Sequence, residues 1–142
     1  MNGKPVGQTA ATGFQIGVRR TLPLTREQAW NKVTSTEGMT LWLGHLPPPE
    51  LRPGFTYESE EGITGEIRIV KPLSQLRLTW RKKGWARAST LQIRFLGSDD
   101  SKTTISFHQE HLSDSAVREE MKLKWEAVLA SIADNSNAGN RK

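Results

Sequence analysis

The chain contains no cysteine among its 142 residues. This absence excludes disulfides, thiolate zinc sites and a cysteine nucleophile. No apolar run approaches the ~18 residues that a membrane-spanning helix needs. Segment 1–13 is polar and lacks the apolar stretch of a secretory signal, so we expect a cytoplasmic protein. The motifs GxSxG, GxGxxG and the P-loop are also absent, and no cofactor is predicted.

The chain does carry an excess of positive charge, with 20 Lys and Arg against 15 Asp and Glu. Clustered basic residues are the electrostatic mark of phosphate binding. Most of them alternate with acidic residues here, and the one dense cluster, Arg81, Lys82, Lys83 and Arg87, surrounds Trp85. An aromatic side chain at a basic hairpin tip could stack on a base. The charge pattern favours a solvated turn instead, so no nucleic-acid partner is predicted.

The length indicates one domain, because a chain of this size buries about 68–70% of its unfolded surface. No internal repeat and no dividing linker is found in the sequence. Polar composition at both ends predicts flexible tails over 1–13 and 134–142. The folded domain is therefore expected over 14–133.

The amino-terminal part of this domain predicts one strand and two short helices. Apolar residues alternate over 14–18, as in a strand with one buried face. Thr25 and Gln28 have the spacing of a capping box, which predicts a helix over 26–34. A second helix should run from residue 36 to about residue 43 and end at Gly44, because glycine suits the conformation that closes helices.

A proline-rich segment, 47–54, follows and must be a loop, because consecutive prolines lack amide donors. Five strands are then expected, separated by turn residues, as in an antiparallel meander. They cover about 55–59, 64–70, 75–81, 89–96 and 102–111. Alternation assigns one set of side chains to the inner face of the sheet. This set is Leu76, Leu78, Trp80, Leu91, Ile93, Phe95, Ile105, Phe107 and Gln109.

A long amphipathic helix is predicted over about 113–133, capped by Ser113 or Ser115. Its apolar stripe consists of Val117, Met121, Trp125, Val128, Leu129 and Ile132. The only large apolar surface that can cover this stripe is the inner face of the meander. The sequence therefore predicts an α+β fold in which a curved antiparallel sheet wraps around a long C-terminal helix. Where the curvature leaves a gap, a pocket can form.

The histidines predict neither a metal site nor an active site. Strand alternation puts His108 and Glu110 on one face of the last strand and His111 on the other, and no HExxH spacing exists. His45 follows Gly44 near the expected mouth of the pocket, where it could act as a general acid or base. No partner for it can be identified in the sequence. We therefore predict no catalytic residue and no metal ligand, and favour a protein that is not an enzyme.

The order of elements resembles the START-like helix-grip fold, which also has two short helices after the first strand. The chain further resembles bacterial homologues of the activators of the heat shock protein 90 ATPase, in the branch called SRPBCC. Four segments carry the likeness: 19–30 (RRTLPLTREQAW), 41–44 (LWLG), 70–80 (VKP followed by LRLTW) and 103–112 (TTISFHQEHL). The superfamily includes lipid carriers, hormone receptors, polyketide cyclases and co-chaperones, so the resemblance implies the fold more than an activity.

The resemblance also implies a ligand cavity between the sheet and the last helix. The candidate lining residues are Trp42, Tyr57, Trp80, Phe107, Gln109, Met121 and Trp125, with His45 as a polar group at the mouth. The alternative is that these aromatic residues only pack the core. We expect a small, largely apolar ligand; co-chaperone-like stimulation of the heat shock protein 90 ATPase and a polyketide cyclase-like activity are the alternatives. Eukaryotic activators resemble this chain only in their carboxy-terminal half, which weakens the co-chaperone alternative.

Overall fold

The computed structural model describes residues 8–9, 13–99 and 101–140. This part of the chain forms seven strands and three helices, and it confirms the predicted α+β helix-grip architecture. The elements are β1 (Gln8–Thr9), β2 (Gly13–Leu22), α1 (Arg26–Thr34), α2 (Thr36–Trp42), β3 (Thr56–Glu58), β4 (Thr64–Lys71), β5 (Gln75–Trp80), β6 (Ser89–Asp99), β7 (Lys102–Leu112) and α3 (Ser115–Asn140).

The strands form one antiparallel sheet in the order β1-β2-β7-β6-β5-β4-β3. Strands β3 to β7 form the predicted meander. Strand β2, which precedes the two short helices in the chain, pairs with β7. Val18, Phe107, Ile93 and Leu76 lie opposite one another across four strands. All nine side chains predicted for the inner face are at most 1% exposed. The period-two pattern therefore identified the buried face correctly.

The capping box of α1 is present as predicted. The Gln28 amide donates to Thr25 Oγ1 at 3.0 Å, and the Thr25 amide donates to Gln28 Oε1 at 2.9 Å. Helix α2 ends at Trp42, one residue before the predicted end, and Gly44 follows with φ +101°. Its amide donates to the Met39 carbonyl at 3.2 Å, so the glycine turns the chain away from the helix axis.

Helix α3 differs from the prediction at both ends. Its amino-terminal cap is Asp114, whose Oδ1 accepts from the Val117 amide at 2.8 Å, so the assignment to Ser113 or Ser115 was wrong. A carboxylate is the stronger acceptor at the positive end of the helix dipole. The helix continues past the predicted end to Asn140. No helix of the described residues is long and apolar enough to cross a bilayer.

The two predicted tails fall partly on described elements. Residues 8–9 form β1, which pairs with the start of β2, and segment 134–140 continues α3. The rest of the predicted tails, 1–7, 10–12 and 141–142, lies outside the described residues. Flexibility of the two segments stays a prediction.

A β-bulge at the end of β7 changes which side chain is buried there. Strict alternation after Phe107 and Gln109 would place His111 inside. His111 has φ +67°, and the register shifts between Phe14 and Ile16 on the neighbouring strand. Leu112 is consequently buried at 3% exposure, while His111 is only half-buried. The bulge brings an apolar side chain into the core in place of an imidazole.

Candidate functional site

Three aromatic side chains meet in the interior between the sheet and α3. The Trp125 ring stacks on Phe107, with the ring centroids 5.1 Å apart and the planes at 26°. The Trp80 ring meets Trp125 edge-on, at a centroid distance of 5.5 Å. All three are at most 1% exposed. Trp125 thus contacts both other rings directly, in the stacked and edge-on arrangements that aromatic pairs prefer.

The polar groups of this interior are hydrogen-bonded within the protein. The Trp125 indole Nε1 donates to Gln109 Oε1 at 2.8 Å, and Gln109 Nε2 donates to Ser89 Oγ at 2.8 Å. Ser89 Oγ in turn donates to the Trp80 carbonyl. Gln109 was predicted to line a ligand cavity, and in the structure its side chain joins α3 to the sheet. A buried hydrogen-bond network of this kind stabilises one core arrangement.

Trp42 and Tyr57 are also bonded within the protein. Trp80 Nε1 donates to the Trp42 carbonyl at 3.0 Å, and Trp42 Nε1 donates to the Val33 carbonyl at 3.0 Å. The Tyr57 hydroxyl donates to the Thr79 carbonyl, and burial raises the pKa of Tyr57, so the phenol is neutral. Both residues therefore fix neighbouring elements: Trp42 holds α2 against α1 and β5, and Tyr57 holds β3 against β5.

A pocket of about 330 Å³ opens at one end of this interior, and we call it the mouth pocket. It lies where the end of α2, the β3–β4 turn and the end of β5 meet α3. Its lining consists of Thr40, Gly44, Glu61, Ile63, Trp80, Lys82, Glu120, Met121 and Lys124. The floor is apolar, because Ile63, Trp80 and Met121 are 6%, 1% and 0% exposed. Of the seven predicted cavity residues, Trp80 and Met121 line this pocket, and the other five pack elsewhere in the core.

The rim of the mouth pocket carries four charged side chains. Lys82 forms an ion pair with Glu120 across the opening, and Glu61 forms one with His45. Lys124 differs from the other three. Its ammonium lies 6.0 Å from the Trp80 ring centroid and 5.7 Å from that of Trp125. Burial and, to a lesser extent, the neighbouring Lys82 lower the pKa of Lys124.

His45 has a partner that sequence reasoning did not find. The backbone amide of His45 donates to Glu61 Oε1 at 2.7 Å, and its Nδ1 pairs with Glu61 Oε2. This hydrogen bond raises the pKa of His45 and lowers that of Glu61 to about 2. Glu61 belongs to the turn 60–62, which the sequence predicted only as a connection between two strands. The imidazolium can donate a proton, but a single exposed pair of an imidazolium and a carboxylate does not identify a reaction.

Apart from Lys82, the basic cluster does not line the mouth pocket, and neither does His108. Trp85 packs edge-on against Trp80 at a centroid distance of 5.4 Å, and Arg81 Nε donates to its carbonyl at 2.7 Å. His108, on the outer face of the sheet, hydrogen-bonds Gln15 through Nε2 at 3.0 Å. Across the described ranges, no group of three His, Asp or Glu side chains could hold a metal ion.

Comparisons with known proteins agree with this architecture. A family model described as Activator of Hsp90 ATPase homolog 1-like protein matches residues 23–136. No relative was found among curated proteins. Among solved structures, CalU16 from Micromonospora echinospora superposes with a TM-score of 0.72 at 19% identity, covering 84% of this chain and 71% of that protein. An HSP90 activator from Plasmodium falciparum gives a TM-score of 0.66 at 20% identity, covering 78% and 86%.

A third similar structure is DynU16, a protein of the dynemicin biosynthetic locus. Its TM-score is 0.72 at 17% identity, and the alignment covers 88% of this chain but 48% of DynU16. TM-scores of 0.66 to 0.72 at 17% to 20% identity show a shared fold and not a shared activity.

Proposed function

The chain belongs to the family of Activator of Hsp90 ATPase homolog 1-like proteins, and from this premise we propose that it binds a small, largely apolar molecule in the mouth pocket. The family scaffold supports many activities, so the proposal depends on the geometry of the site. The ligand would lie on Trp80 and Met121, between the end of β5 and the first half of α3.

The observation that carries the proposal is the combination of an apolar floor and a charged rim. Ile63, Trp80 and Met121 are core side chains, yet they border a space of about 330 Å³. Small-molecule sites are concave, mostly apolar and bordered by a few polar groups, and their volumes start near ~300 Å³. A second depression of about 450 Å³ adjoins this one across Glu61 and Lys82. It is lined by charged turn residues and has no comparable apolar floor.

The size of the mouth pocket favours a small ligand. The aromatic side chains behind it are packed against each other and hydrogen-bonded, so a bound molecule need not enter the centre of the domain. Trp80 would be the direct reporter of binding, because its ring borders the pocket and also contacts Trp85 and Trp125.

Native mass spectrometry of the protein isolated from its own host tests the proposal, together with a tryptophan fluorescence titration against a panel of lipids and polyketides. We expect an added mass or a saturable change of fluorescence. Thr40→Phe should weaken the response, because Thr40 lines the pocket and the larger side chain would fill it. Thr36→Phe is the matched control, because Thr36 is exposed one turn earlier on α2.

Two results would contradict the proposal. One is a protein that carries no mass beyond its chain and shows no fluorescence response to the whole panel. The other is an equal response of wild type and Thr40→Phe, which would place the ligand outside the mouth pocket.

A second candidate is stimulation of the heat shock protein 90 ATPase, supported by the family description and by an exposed apolar side chain on α3. Leu123 is 66% exposed on the side of the helix away from the sheet. A chaperone ATPase assay with added protein tests this candidate, and Leu123→Ser should reduce any stimulation. Unchanged turnover without a detectable complex would remove it.

A further inference from the structure

We infer that the ligand of the mouth pocket is an anion, a small aromatic or aliphatic molecule with one acidic group, and that Lys124 binds this group. The inference rests on the proposed function and specifies the chemistry of its ligand. Three observations carry it: the pairing of charges at the rim, the position of the Lys124 ammonium, and the apolar floor beneath it.

The charges of the rim are paired with one exception. Glu120 is bound by Lys82, and Glu61 is bound by His45. Within the described ranges, Lys124 has no carboxylate within 4.0 Å of its ammonium. Glu61 and Glu120 still attract Lys124 at longer range, whereas Lys82 repels it. The pocket therefore presents one cation whose direct counter-ion is absent from its own rim.

The surroundings of Lys124 make this cation costly to leave unpaired. Its side chain is half-buried, and its ammonium lies near the faces of Trp80 and Trp125 rather than in open water. Removal of a charge from water costs free energy unless an opposite charge or hydrogen bonds compensate. The indole faces compensate in part. An incoming carboxylate would complete the compensation with a charge-assisted hydrogen bond.

The floor determines what the rest of the ligand must be. Trp80 lies next to the ammonium and also borders the pocket, and Met121 lies one helical turn before Trp125 on the same face of α3. An acidic group held at Lys124 would place the attached body against Trp80 and Met121. The required molecule is thus amphiphilic, with an apolar body small enough for a pocket of about 330 Å³.

Two fluorescent probes with one ring system test the inference. Anilinonaphthalene sulfonate carries a permanent negative charge, and N-phenylnaphthylamine has the same rings without it. We expect wild-type protein to bind the sulfonate more tightly than the neutral probe, by roughly tenfold, which is the size of one charge-assisted contact. The sulfonate should also be displaced by naphthoic acid and not by naphthamide.

Substitutions then assign the preference to one side chain. Lys124→Gln should abolish most of the difference between the two probes, measured as the ratio of their affinities in the same variant. Lys124→Arg should retain most of the preference, because it keeps the charge. Lys122→Gln is the matched control: it removes one positive charge from the same helix at a position outside the pocket lining. It should leave the preference intact, which separates a local contact from the net charge of the protein.

The possible failures are distinguishable. If wild-type protein binds the two probes with equal affinity, the pocket does not select a negative charge. The inference of an anionic ligand is then overturned, and the proposed function stays in place. An equal loss of preference in Lys122→Gln and Lys124→Gln would overturn the role of Lys124. If neither probe binds, the inference is overturned, and the lipid and polyketide panel decides the proposed function separately. Thermal melting of each variant shows that a lost response does not reflect unfolding.

Discussion

Trp125 and Gln109 are joined by a hydrogen bond of 2.8 Å between the indole Nε1 and the amide Oε1, and both side chains are 0% exposed. The bond connects the middle of α3 to strand β7 inside an otherwise apolar core. The bond also concerns function, because it occupies the side-chain amide oxygen of Gln109, which could otherwise hold a ligand.

Replacement of Gln109 by leucine should destabilise the fold. The variant keeps a similar volume but leaves the indole N–H of Trp125 without an acceptor, and Ser89 loses its donor. We expect the free energy of unfolding to fall by about 1–3 kcal/mol, measured by urea denaturation. Gln92→Leu, on the outer face of the same sheet, is the control and should change it by about 0.5 kcal/mol or less.

A double-mutant cycle isolates the bond itself. Trp125→Phe removes the donor, so in the double variant with Gln109→Leu neither partner is left unsatisfied. The double variant should lose less free energy of unfolding than the two single variants lose together, by about 1 kcal/mol. Strict additivity in the urea titrations would show that the bond contributes nothing beyond packing.

The ion pair of His45 and Glu61 predicts an elevated pKa for the imidazole. Because the pKa of His45 is raised above its ordinary value of 6.5, its contribution to stability is present at lower pH and is lost as pH rises through the raised pKa. Glu61, with a pKa lowered to about 2, contributes above its ordinary value of 4.5 and loses this as pH falls through about 2. The pair is therefore intact between these two limits.

NMR titration of the His45 ring measures this effect. In Glu61→Gln, the pKa of His45 should decrease toward 6.5, because the largest cause of its increase is the hydrogen bond to Glu61. The ring of His108 is the internal control, since it lies on the outer face beside Gln15 and its chemical shifts should not respond to the substitution. An unchanged titration of His45 would contradict the pairing.

Alanine substitutions at Gly44 and Gly54 compare a glycine that lies against Glu61 with a glycine that has open space around it. Both have positive φ, +101° and +92°. A Cβ at Gly44 would lie 2.2 Å from Glu61 Oε1, whereas nothing lies within 4 Å of a Cβ at Gly54. Gly54→Ala should cost only the strain of the backbone conformation, about 1 kcal/mol. Gly44→Ala should cost clearly more, because it also displaces Glu61 from His45.

Thermal melting with the His45 titration checks both parts of this expectation. The His45 pKa should drop in Gly44→Ala and stay as in wild type in Gly54→Ala. Similar melting temperatures for the two variants, with an unchanged pKa of His45, would contradict the expectation and show that Glu61 accommodates the added methyl group without leaving His45.

Much of the fold could be predicted from local patterns. The alternation of strands β5 to β7 assigned Trp80, Phe107 and Gln109 to the interior, and all are buried. The capping box of Thr25 and Gln28 placed the start of α1 correctly. These features depend on neighbours within four residues along the chain, and the periods of 2.0 and 3.6 express them directly in sequence.

Local pattern was insufficient wherever distant segments meet. The bulge at His111 depends on the register of β7 against β2, and alternation alone buried the wrong residue there. The cap of α3 depends on the exact turn after β7, which decides that Asp114 and not a serine reaches the Val117 amide. The partner of His45 lies 16 residues away, in a turn that only the folded sheet brings to the end of α2.

The sequence by itself determined most of the side chains that are inside, because burial follows from a repeating apolar pattern that each helix and strand carries alone. The tertiary structure decided which of these side chains merely pack and which border open space. It also decided which charges at the mouth find partners. Both depend on how closely α2, the β3–β4 turn and α3 approach one another, and packing density in a folded core is a property of the assembled elements. Trp80 reads as a core residue and Lys124 as a surface residue in the sequence, and in the folded protein both border the same pocket.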